Sequence, residues 1–511
     1  MAENRYKSSG RTVLRVLLVV ILGMVMSYTY TGEKLPLNDG AGWDGVIYRD
    51  IVLNIDKTYF HHGINKYHMH RVLPFAVTHG LMRMAGVEMN NSNALWASVL
   101  MNVLMVVLSV VFLFRLSSFL RWKAHTETIA FSLIFFNVGV LKVFGYEPLV
   151  TDSLALLLSL MAAYYFFARR TIPLVLTGIV ALFSWPVLSV VVLILVAFPR
   201  TEVEYLGDTQ QRQFFTQPLL TKVFRLIMIL WVPVAFLLFV VYKHHVHPET
   251  SFLELFILRP AHSVALVVAS MVSVCVFYYY ATAAVAVEWG GVLRSIFACR
   301  SLLRIALCSI CFIILYYASQ YFGSQAIFSA FQQLTQMVHP PVTDIFIFLE
   351  TPFAYQGMFI LLILFFGRSI AREVCSYGVG YLLVLVMGMV FLMDIETRKL
   401  VMLYPFMLVP LMAAVNRKNL RAWVPLACVM VQLLLSACWF TMNTPELPAA
   451  LAADDVSVFI DYPAQRYFYM HGPWQGRTTY LLIGGLEIIL AIACVVLYRS
   501  NRFYVKDDKQ Q

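Results

Sequence analysis

Residues 93–114 read NALWASVLMNVLMVVLSVVFLF, without one charged side chain. As a helix rising about 1.5 Å per residue, this stretch covers roughly 30 Å, the thickness of a bilayer's hydrocarbon. Apolar residues fall on every face of it, so it has no side to turn toward water. Runs of the same kind, roughly 17–25 residues each, recur from Val13 to Leu497. The candidate spans are 12–30, 93–114, 126–142, 152–168, 172–198, 224–243, 261–284, 303–322, 352–367, 376–394, 400–415, 422–441 and 479–498. Composition agrees: 60% of the 511 residues are hydrophobic and 13% charged, and mean hydropathy is +0.75. A soluble domain is about half apolar and about a quarter charged. The expected fold is all-α: one integral membrane domain over 1–511, a bundle of about 12–14 transmembrane helices with amphipathic helices on its outer surface.

Charge decides the sides. The net charge of +10 sits in short clusters between spans, such as Arg115/Arg121/Lys123, Arg169/Arg170, Arg368/Arg372, Arg417/Lys418/Arg421 and Arg499/Arg502/Lys506. That is the positive-inside pattern, and no basic stripe for nucleic acid is present. Both termini are expected in the cytoplasm, with Val13 to Met26 an uncleaved signal-anchor span, because no small-residue cleavage site follows it. The stretch 172–198 has basic residues at both ends, so one straight span does not fit it. Ser184-Trp185-Pro186 breaks it in the middle, and two short helices are expected there as a hairpin or re-entrant pair. None of the eight cysteines falls in a loop placed outside, so no disulfide framework is implied. Cys308-x-x-Cys311 reads as two small apolar residues within a span.

The outer loops are then about 31–70, 143–151, 244–260, 323–351, 394–399 and 442–478, and any chemistry belongs with them. The first, which runs on through an interfacial segment to residue 92, is the richest. It carries Asp39, Asp44, Asp50 and Asp56, four histidines (His61, His62, His68, His70), and Arg49 and Arg71. Asp39-Gly40 and Asp44-Gly45 form turns that present a carboxylate. Val46, Ile47, Ile51, Val52 and Ile55 recur at helical spacing, describing a helix lying on the bilayer, and 71–87 offers a second. An acid just before a surface helix suits a general base at the membrane boundary; equally, Asp39 and Asp44 suit turns and helix caps.

The short loop 143–151 brings Glu147 and Asp152 to the ends of two spans, where acids are functional candidates and Thr151-Asp152, just before an apolar helix, also suits an N-cap. In the turn 394–399, Arg398 can clamp a phosphate oxygen or pair locally with Asp394 or Glu396. Tyr404-Pro405 and Pro410 are expected to interrupt the span that follows. His244, His245 and His247 make a weak metal tract, and no metal is required by the sequence. There is no P-loop, no H-E-x-x-H and no G-x-S-x-G.

Gly42-Trp43-Asp44-Gly45-x-x-Tyr48-Arg49, followed by Tyr67-x-x-His70-Arg71-Val72-Leu73-Pro74, resembles the opening of the C-type (GT-C) polytopic glycosyltransferases. The likeness is nearest to bacterial members with a DG-x-x-Y … R-x-L-P pattern. The acidic loop 147–152, the break at Trp185 and the late Arg398…Tyr404-Pro405 follow in a comparable order. The resemblance implies inverting transfer of a sugar from a polyprenyl-phosphate donor to a glycan, lipid or protein acceptor, at the outer face of a membrane, more readily a bacterial inner membrane than the endoplasmic reticulum. It implies Asp44 as catalytic base, with Asp152 or Glu147 as second acid. Arg71 and Arg398 become the donor-phosphate contacts, with His70, Tyr48 and Tyr404 beside the substrate. Cofactor use stays open, a divalent metal included. The alternative is a lipid-linked saccharide transporter or polymerase-type membrane protein. A transporter places its ionisable groups at mid-bilayer, whereas here they crowd the boundary.

Overall fold

The computed structural model describes residues 2–206 except 32, 34, 36, 43, 62 and 63, then 287–319, 346–445 except 393 and 395, and 477–500, with a few isolated positions between them. Nearly all of the candidate span 224–243, all of 244–284 with its span and histidine tract, and most of the loops 323–351 and 442–478 lie outside the described residues. Among the described residues every regular element is a helix, and Tyr205 and Val287 form an isolated bridge.

Four described helices are long and apolar enough to cross a bilayer: α1 (Ala2–Thr31), α5 (Asn91–Phe119), α12 (Cys299–Ser319) and α18 (Arg477–Arg499). A fifth is counted when α6 (Ala124–Phe135) and the segment Gly139–Tyr146, bent by 52°, are taken as one. The remaining apolar runs are shorter helices: α8 (Asp152–Phe167), α9 (Thr171–Leu182), α10 (Pro186–Ala197), α15 (Val379–Phe391), α16 (Tyr404–Asn416) and α17 (Trp423–Leu435). Among the described residues the chain is a helical bundle in which polar, proline and glycine breaks divide several apolar runs into shorter helices.

Each break has a physical cause. The expected break at 184–186 is present, with Pro186 opening α10 at its first position, where a missing N–H is no loss. The run 126–142, read as one straight span, is instead broken at 136–138. Asn137 supplies what the broken backbone lacks: its Nδ2 donates to Ile134 O at 2.7 Å and its Oδ1 accepts from Val140 N at 3.1 Å. Gly139 then passes so close to Tyr355 that a Cβ would run into the phenol. Between α13 (Ile347–Gln356) and α14 (Met358–Tyr377), Gly357 takes φ 61°. Gln432 closes that gap, accepting from Met358 N at 2.9 Å and donating to Gln356 O at 2.7 Å. Tyr404-Pro405 and Pro410 do not interrupt α16: Pro405 lies in its first turn and Pro410 within it.

At the centre, α8 packs on α5, α9, α16 and the 3-10 turn Thr397–Met402. Its first residue, Asp152, is thereby carried into the middle of one end of the bundle, the end that bears residues 31–92 and that we term the loop face. There α2 (Gly45–Leu53), a π turn (Asp56–His61), α3 (Lys66–Met69) and α4 (Leu73–Met84) fold together. The apolar stripe of α2 is turned inward as well as along the surface: Tyr48, Ile51 and Val52 build a small second core with Phe75 of α4 and Ala94 of α5. Lys142, wholly buried, is neutralised by Glu33 at 3.1 Å and donates to Phe440 O at 2.6 Å, tying α1 to the 440–443 strip.

Candidate active site

Asp44 precedes α2 at its cap position, yet its side chain makes no cap hydrogen bond. The carboxylate instead reaches across the loop, with Oδ1 at 3.4 Å from His68 Nε2 and Oδ2 at 3.9 Å from Arg71 Nη1. It keeps 45% of its side chain exposed, so it forms the open mouth of the cluster. Asp39, Asp50 and Asp56 of the same loop point to solvent, and Arg49 donates to Asn38 O at 2.9 Å, stapling the turn before α2.

Behind Asp44 the arrangement deepens into a charged network built from three further segments. Asp152, only 1% exposed, faces Arg398 Nη1 at 3.5 Å. Thr151, its preceding cap residue, makes no side-chain cap bond. Neither carboxylate oxygen of Asp152 has a hydrogen-bond partner. Arg398 also meets Glu396 at 3.1 Å, and Lys399 holds Asp394 at 3.1 Å and Glu396 at 3.8 Å. The local pair and the long-range pair of Arg398 thus exist together. Arg71 lies over the Tyr67 ring at 3.9 Å and the Trp185 ring at 5.5 Å. The break before α10 accordingly supplies an aromatic wall.

The electrostatics follow from burial set against charge. Burial alone raises the Asp44 pKa. The His68 contact and the charges of Arg71 and Arg398 outweigh it and hold the carboxyl below the ordinary range. Glu396 is likewise opposed by burial but held low by Lys399, Arg398 and Arg71. For Asp394 burial wins and the pKa rises, despite Lys399. The structure therefore gathers four acids and three permanent cations into one cluster. One of the acids, Asp152, is buried without a hydrogen bond to either oxygen.

Not every residue named from the sequence belongs to this cluster. His70 turns the other way: its Nδ1 lies 3.2 Å from Leu182 O and its ring stacks on Tyr316 at 4.6 Å. His68, two positions earlier, is the histidine that faces Asp44. Tyr48 is buried beneath the site, stacked on Phe75 at 4.4 Å. Tyr404 is a buried wall residue set edge-on to Phe359. Glu147 is buried at the end of the short helix α7 (Phe144–Tyr146). The sequence reading gave no role to His68 and treated Glu396 only as a local partner. A signal for His68 does exist: Asn65, three residues earlier, caps α3 and accepts from His68 N at 3.0 Å and from His68 Nδ1 at 2.8 Å. With Nδ1 donating to Asn65, Nε2 is left to face the carboxylate.

Among the described residues no three His, Cys, Asp or Glu side chains converge to hold a metal ion. Comparison with protein-family models, with characterised proteins and with solved structures returns no match. The function therefore has to be argued from the site's own chemistry.

Proposed function

We propose that this chain is a membrane glycosyltransferase of the GT-C kind, moving a sugar from a polyprenyl-phosphate donor to an acceptor hydroxyl with inversion, at the loop face. The observation that carries the reading is the convergence of Asp44, Asp152, Arg71 and Arg398 in one charged cluster at the bundle's end. Two guanidiniums suit a phosphate dianion, and a carboxylate at the mouth suits an acceptor proton.

In this reading the acceptor oxygen attacks the sugar C1 while the bond from C1 to the phosphate oxygen breaks. Arg71 and Arg398 receive the charge that develops on the leaving polyprenyl phosphate. The acceptor proton passes to Asp44. A depressed pKa makes the resting Asp44 a weak base, and donor binding corrects this: a phosphate that engages Arg71 and Arg398 offsets the charges that hold Asp44 low. His68 Nε2 then offers the proton its next position. The localisation that goes with this function is an integral, multi-pass bacterial inner membrane protein with both termini cytoplasmic and up to about 12–14 membrane passages.

Asp44→Asn is the test. It keeps the turn preference and removes the proton acceptor, so transfer from a polyprenyl-phosphate sugar should fall at least ~10²-fold, with donor binding and thermal stability retained. Asp39→Asn and Asp56→Asn should cost far less. Full transfer by purified Asp44→Asn protein would remove Asp44 from the mechanism.

A further inference from the structure

The end of the bundle opposite the loop face carries a groove. It contains a cavity of about 250 Å³ between α14, α16, α17 and α18, with Ile129 of α6 at its back. Its polarity is graded along the helices. Ser369, Lys418 and Tyr498 line one end, where α14, α16 and α18 finish. Phe365, Val431 and Leu490 line the interior. From Tyr498 back to Leu490, α18 rises about 12 Å, so the polar end and the apolar depth are separated by most of the hydrocarbon thickness of one leaflet, roughly 15 Å.

The charge around the polar end has one sign in excess. Arg368, Arg372, Arg421 and Arg499 are exposed near it. Among the described residues there, the acid Glu373 is engaged with Arg417. A slot that is apolar inside and cationic at its rim fits an amphiphile with an anionic head.

We propose that this groove binds an acyl chain of an anionic glycerophospholipid, with the lipid phosphate held at the Lys418 end. The site is separate from the carboxylate cluster and does not depend on what that cluster does. The apolar depth takes the chain by burial. Lys418 adds the headgroup preference, each basic residue near a membrane surface contributing about five-fold in affinity.

The experiment uses the full-length chain purified in a non-ionic detergent. Phosphatidylglycerol or phosphatidylcholine is titrated in, and the thermal midpoint is followed together with lipid retained on the protein by native mass spectrometry. Phosphatidylglycerol should be retained and raise the midpoint at lower concentration than phosphatidylcholine. Lys418→Gln should weaken the phosphatidylglycerol response about five-fold and leave the midpoint without added lipid unchanged. Ala427→Trp, which fills the groove, should abolish retention of both lipids. Arg115→Gln, a basic residue outside the groove, should keep the parent response. An equal response to the two lipids overturns the proposal, as does an equal loss in Arg115→Gln and Lys418→Gln. Self-association without lipid retention would assign the groove to a second copy and overturn it as well.

Discussion

Two sets of charges sit at opposite ends of the bundle, and they are built on different rules. At the basic end, Arg11 donates to Glu127 through Nε at 2.7 Å and Nη2 at 2.6 Å, and to Ser118 at 2.8 Å. Ser117 completes the carboxylate. Arg11 Nε and Nη2 both end on acceptors, the partners come from α1, α5 and α6, and the contact closes a helix interface. At the loop face, Asp152 is buried with Arg398 at 3.5 Å and no hydrogen-bond partner on either carboxylate oxygen, while Asp44, with Arg71 at 3.9 Å, stays nearly half exposed. A buried polar group left short of partners costs free energy. The first arrangement is that of a structural pair; the second is the arrangement on which the proposed donor site rests.

Substitutions can break this contrast, and the largest effect is expected at Arg398. Arg398→Leu removes the nearest cation from Asp152 and leaves a buried carboxylate, which costs about 3–5 kcal/mol when a partner is lost. A steep fall in thermal midpoint at neutral pH, largely repaired in Arg398→Leu/Asp152→Leu, is the expected result. Absence of repair would show that Arg398 matters through Glu396 instead. Transfer activity should be lost in both variants.

Glu127→Gln is the matching change at the other end. It weakens a charge-assisted network, so stability should drop by about 2–3 kcal/mol, read as a lower midpoint in a denaturation scan. Activity per folded molecule should stay at the parent level. A loss of activity larger than the loss of folded protein would erase the distinction between the two ends.

The smallest effect is a shift on the pH axis. Asp44 has a lowered pKa in the folded chain, so its share of stability is present above the unfolded carboxylate value and is lost as pH falls through the folded one. Exposure keeps that share small. The kcat/KM profile, which reports the protein before donor binding, should accordingly have an acid limb below the ordinary carboxylate range. Arg71→Leu removes one of the charges that lower the pKa, so its residual activity should show that limb at higher pH. An unmoved limb would indicate that another group sets it.

What was readable in advance depended on distance along the chain. The apolar runs announce a helical membrane bundle because covering ~30 Å of hydrocarbon leaves no choice of side chain. The break at Trp185-Pro186 was readable because proline acts locally. Asp44 and Arg71 were singled out from one loop, and turn chemistry is local too. The break at Asn137 was less visible: asparagine and glycine permit a bend, but Gln356 and Tyr355, more than two hundred residues away, surround the one that forms.

Composition and periodicity by themselves determined that the chain is helical and rich in apolar runs fit to meet lipid, since each follows from how a short segment meets lipid or water. Only the tertiary structure decided which charges meet. It set Asp152 against Arg398, placed the Trp185 ring beside Arg71, and chose His68 over His70. In a helical turn, residues two apart are rotated by roughly 200°, so one histidine faces Asp44 while the other faces Leu182 and Tyr316. The side a short helix presents is fixed by what packs against it, and those partners come from distant parts of the chain.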